Sequence, residues 1–122
     1  MKVIYFGNEL VPEDSRALET VRRIKKELPG VDFVHCLSPE EILRYRGPVI
    51  ILDVARGIDR VTEVDDPDRI KNRKMSSLHD FDLGFFMKLM KRAGRGRDVR
   101  LIALPQDIDC DEELIEILKN QV

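Results

Sequence analysis

The chain has 122 residues, 43% of them hydrophobic and 36% charged, with a formal net charge of −2. That length suits a single domain, residues 1–122, with a real core, and the charge balance excludes any global attraction to nucleic acid or an anionic membrane. Two cysteines, Cys36 and Cys110, are too few for a disulfide framework and suit a reducing cytoplasm.

Taken in order, Lys2 to Phe6 reads as a buried strand, entered with no expected signal peptide. Gly7-Asn8 breaks it, since both residue types tolerate positive φ and permit a sharp turn. Pro12, Glu13 and Asp14 suit a helix N-terminus. From Ser15 to Leu28 the apolar positions Leu18, Val21, Ile24 and Leu28 fall at helical spacing, with Arg16, Arg22, Arg23, Lys25 and Lys26 left for the wet face. Pro29-Gly30 stops the helix. Val31 to Cys36 is a second strand. Ser38-Pro39-Glu40-Glu41 is a capping box that opens a short helix to about Tyr45. Val49 to Val54 is the most apolar strand, as expected for one buried on both faces.

Gly57 to Lys74 is charged and irregular, with a turn at Asp65-Asp66-Pro67-Asp68 and a possible strand at Val61 to Val64. Ser76-Ser77-Leu78-His79-Asp80 leads into a helix striped by Leu83, Phe86, Met87 and Met90. Val99 to Leu104 is the last strand, and Asp111 caps a terminal helix with Leu114, Ile117 and Leu118 inward. Alternating strands and helices predict a three-layer α/β fold: a mostly parallel twisted sheet of about five strands with helices on both faces. No apolar run approaches the roughly 20 residues of a membrane span.

Three polar residues sit where strands end and helices begin: Asp14 follows the first strand's loop, Asp53 ends the central strand, and His79 precedes the long amphipathic helix. Strand ends of one sense share an edge of a parallel sheet, with neighbours about 4.8 Å apart. Two carboxylates and an imidazole suit a borderline divalent metal such as zinc or nickel, with positions left open for substrate or water.

Gly7-Asn8-x-Leu10-x-x-Glu13-Asp14, then an apolar strand reaching Asp53, then Ser76-Ser77-Leu78-His79 before a helix, resembles the hydrogenase maturation endopeptidases along nearly the whole chain. The first acid is Glu13 here, and Ser15, Ala17 and Tyr5 stand where that family carries glycine. The resemblance implies that Asp14, Asp53 and His79 bind metal and act catalytically through it, with Gly7 and Asn8 at the substrate. It implies cleavage of a C-terminal extension from the large-subunit precursor of a nickel-iron hydrogenase, with nickel presented by that precursor and no organic cofactor. Two rivals remain. One is a phospho-accepting receiver domain, which needs a lysine at the end of its last strand where this chain has Ala103-Leu104-Pro105. The other is a non-catalytic, metal-sensing assembly chaperone.

Overall fold

A computed structural model describes residues 1–6, 15–36, 41, 44, 45, 48–64, 76–77, 94, 99–106 and 108–121, with backbone alone at 56, 64, 76 and 77. The extended segments are β1 (Lys2–Phe6), β2 (Asp32–Cys36), β3 (Val49–Arg56), β4 (Thr62–Val64), β5 (Ser76–Ser77) and β6 (Val99–Pro105). They form one sheet in the order β2-β1-β3-β6-β4, with β5 attached to β3. The first four strands of that order are parallel; β4 runs antiparallel to β6, and β5 antiparallel to β3. The expected mostly parallel α/β sheet is present.

β1, β3 and β6 are runs of branched apolar residues because both faces of the sheet are buried. On one face lie Ile4, Phe6, Ile51, Val99 and Leu101; on the other lie Val3, Ile50, Leu52, Ile102 and Leu104. Successive side chains alternate between faces, so each strand supplies both cores.

Two α-helices are described, α1 (Arg16–Ile24) and α2 (Asp111–Gln121). Both pack on the same face: Ala17, Val21 and Ile24 of α1 join Leu114 and Leu118 of α2 over Val3, Ile50 and Ile102. The helices expected at 39–45 and 80–93 lie mainly or wholly outside the described residues. α1 ends in a 3-10 turn, Lys25–Glu27, whose Leu28 is buried. The chain then turns back, and Asp32 N–H donates to Met1 O at 2.8 Å, setting β2 beside β1.

Two contacts tie α1 to the chain at the start of α2. Arg16 donates through Nη2 to the carbonyl of Ile108. Two turns on, Arg23 grips Asp111 with both arms of a fork, Nε to Oδ2 at 2.6 Å and Nη2 to Oδ1 at 3.1 Å. Asp111 therefore does not cap α2, as the sequence suggests. Its own N–H donates to Asp109 Oδ1 at 3.1 Å, and Leu114 N–H donates to Cys110 O at 2.9 Å to begin the helix.

Candidate functional site

The chain passes from β1 through α1 to β2 on one side of β1, then takes up β3 on the other side. Between β1 and β3 the strand order therefore reverses. Open α/β sheets bind ligands outside the carboxyl ends of the strands at such a switch point.

Asp53 sits beside that reversal. It is 1% exposed, on the central strand, with β1 on one side and β6 on the other. It pairs in register with Ala103 of β6, which pairs in turn with Thr62 of β4. Phe6, one residue past the last β1–β3 pair Tyr5–Leu52, completes the row toward Cys36 on β2. Asp53 shares the face of Ile51 and Ala55, opposite to α1. Burying a carboxylate costs several kcal/mol that a hydrogen bond, an ion pair or a coordinated cation must offset, and Asp53 is not without such an interaction.

Asp53 does not end its strand as the sequence suggests. β3 continues to Arg56, with Val54 and Ala55 paired to Leu104 and Pro105 of β6, and Ala55 and Arg56 paired to Ser77 and Ser76 of β5. The short apolar period of 49–54 carried no sign of this extension.

After β1 the described structure resumes at Ser15, which is buried and occupies the N-cap position of α1. Its carbonyl accepts from Glu19 N–H at 3.0 Å, while its hydroxyl makes no capping bond. The Arg16–Ile108 contact holds this helix start against the chain leaving the carboxyl end of β6. Asp14, His79, Gly7 and Asn8 lie outside the described residues. Among the described residues no three His, Cys, Asp or Glu side chains gather in a way that could hold a metal ion.

No family model, curated protein or solved structure matches this chain.

Other polar features near this sheet have structural partners. His35, on the outer strand β2, stacks on Tyr5 with ring centroids 5.2 Å apart and planes 16° from parallel. Burial pushes the Tyr5 hydroxyl above its ordinary pKa, with Arg22 opposing the shift. Lys2 reaches over the Tyr45 ring at 4.7 Å and pairs with Asp32 at 3.3 Å. Cys36 is buried, and desolvation raises its thiol pKa, which disfavours the thiolate that a nucleophile or metal ligand needs. Of the arginines at 92, 95, 97 and 100, Arg100 is described, and it donates to Gln121 Oε1 at 2.6 Å. No helix among the described residues is long and apolar enough to cross a membrane.

Sequence reasoning missed the roles of Arg16 and Arg23, which it left to solvent. Their spacing of seven, two helical turns, places both on one side of α1 and is the signal that was available.

Proposed function

We propose that this chain is a metal-dependent endopeptidase of the hydrogenase-maturation kind. Its site is Asp14, Asp53 and His79, and its substrate is the nickel-bearing large-subunit precursor of a nickel-iron hydrogenase. The observation that carries the reading is the buried carboxylate of Asp53 next to the switch point of the sheet. Short tethers support it. Asp14 directly precedes Ser15, the residue that opens α1. His79 follows by two residues Ser77, the partner of Ala55, and two residues of chain span at most about 7 Å.

The chemistry follows from these residue types. Two carboxylates and an imidazole would hold a nickel ion already bound by the precursor. The ion supplies Lewis acidity toward the scissile carbonyl and a position for water. Asp14 and Asp53 repel one another without a cation, so an unmetallated precursor would bind poorly. Gly7 and Asn8 would lie along the substrate.

The receiver reading loses ground on topology. The doubly wound order of receivers places five parallel strands as 2-1-3-4-5. Here the last strand, β6, takes the fourth place, and the outer strand β4 is antiparallel. The deciding experiment is cleavage of a nickel-loaded precursor. The native chain is expected to cut it, and folded Asp53→Asn and His79→Ala to fail. Native-rate cleavage by Asp53→Asn would remove the metal-site assignment. Nickel-dependent binding without any cleavage by the native chain would instead favour the chaperone.

A further inference from the structure

A second feature lies at the outer strand of the sheet. β4 stands last in the strand order, and β6 is its partner among the described residues. On the α2 side of the sheet, Arg60, Val61 and Glu63 face Glu113, Glu116 and Ile117 across a groove of about 540 Å³. Val61 is buried and Ile117 half-buried, both packed in the core beneath the helices, so the groove has an apolar floor. Its rim is acidic. Arg60 reaches Glu113 at 3.4 Å. Glu63 accepts from the neutral amide of Gln121 at 3.0 Å, which leaves its charge in place. Among the described residues no cation forms an ion pair with Glu63 or Glu116.

The strand offers the remaining element. Glu63 pairs with Ile102, whose side chain faces the helices, so Glu63 and Val61 point to the same side as α2 while Thr62 points away. A segment added along β4 would present alternate side chains to the groove and its main chain to the strand edge.

We infer that this groove docks an extended segment of another protein, with lysine or arginine at alternate positions. The cationic heads meet Glu63 and Glu116, and their aliphatic stems lie over Val61 and Ile117. The site is independent of any metal at Asp53: it sits on the opposite face of the sheet and uses none of the same residues.

The test titrates the full chain, at about 0.15 M salt where the Debye length is about 8 Å, with a synthetic octapeptide of alternating lysine and valine. Saturable binding is expected, with slowed amide exchange along Thr62–Val64. Glu63→Lys and Glu116→Lys should each weaken binding about tenfold or more, because each replaces attraction with repulsion. Glu27→Lys, an exposed change in the 3-10 turn that leads to β2 at the far end of the strand order, should stay within about twofold, as expected for a distant and largely screened charge. All three positions are at the surface, and unchanged melting curves would show that the variants fold. Absence of saturable binding at millimolar peptide would overturn the inference. So would equal weakening by all three substitutions, or no weakening by the two in the groove.

Discussion

Removing the Arg23 guanidinium should loosen α1 from α2 by a small and measurable amount. The contact is a two-pronged, charge-assisted fork at 2.6 and 3.1 Å between residues 88 apart in sequence. Exposed ion pairs contribute roughly 0.2–1 kcal/mol, and forked Arg–carboxylate geometry belongs near the upper end. Arg23 is 46% exposed and Asp111 21%, so solvent screening prevents a larger value. A coupling of about 0.8 kcal/mol is expected from urea unfolding of the native chain, Arg23→Ala, Asp111→Ala and the double variant. For a chain of this length, about 1 kcal/mol corresponds to roughly 4 °C in Tm. Asp111→Ala should cost more than the coupling alone, because Asp111 also sits in the first turn of α2, where negative charge is favoured. The pH dependence has a definite sign. The hydrogen bond from Arg23 holds the Asp111 carboxyl below its ordinary value of 3.8. Its contribution is therefore full above that ordinary value and drains away as the pH falls through the lower, folded-state value. A coupling below about 0.2 kcal/mol at neutral pH, the floor for such pairs, would refute the reasoning. A coupling that persisted unchanged in strong acid would refute the assignment to the carboxylate.

Further outcomes follow from packing. Leu118 is fully buried against the sheet, and Leu118→Ala should lose about 2–5 kcal/mol in urea unfolding, far more than any surface change in α2. A loss below about 1 kcal/mol would mean that α2 is not seated as described. The two thiols should separate kinetically. Half-buried Cys110 should react with a disulfide reagent in the native state, while Cys36, 2% exposed, should wait for unfolding. Equal rates for the two in native protein would contradict that burial.

Much of the sheet was legible because its signals are local. Val49 to Val54 and Val99 to Leu104 are continuous branched runs, and α1 carries its apolar stripe at Leu18, Val21 and Ile24. What escaped depends on partners distant in sequence. Ser76-Ser77 has no apolar period, and it becomes a strand because β3 offers Ala55 and Arg56 an edge to pair. The antiparallel sense of β4 is likewise fixed by β6 and not by Thr62-Glu63-Val64 itself. Asp111 looked like a cap because capping is a local preference; the Arg23 fork that claims its carboxylate is a tertiary contact. Of the candidate site, Asp53 was legible as a carboxylate in an apolar strand, and its burial is the structure's addition.

The central claim is that Asp53 shares one divalent ion with Asp14 and His79. Anomalous diffraction from a nickel-soaked crystal tests it most directly. The account predicts a single strong peak beside Asp53 within β3, about 2.0–2.2 Å from one of its carboxylate oxygens, with Asp14 and His79 completing the shell. A well-ordered crystal with no peak at Asp53, or with nickel bound elsewhere on the chain, would contradict it.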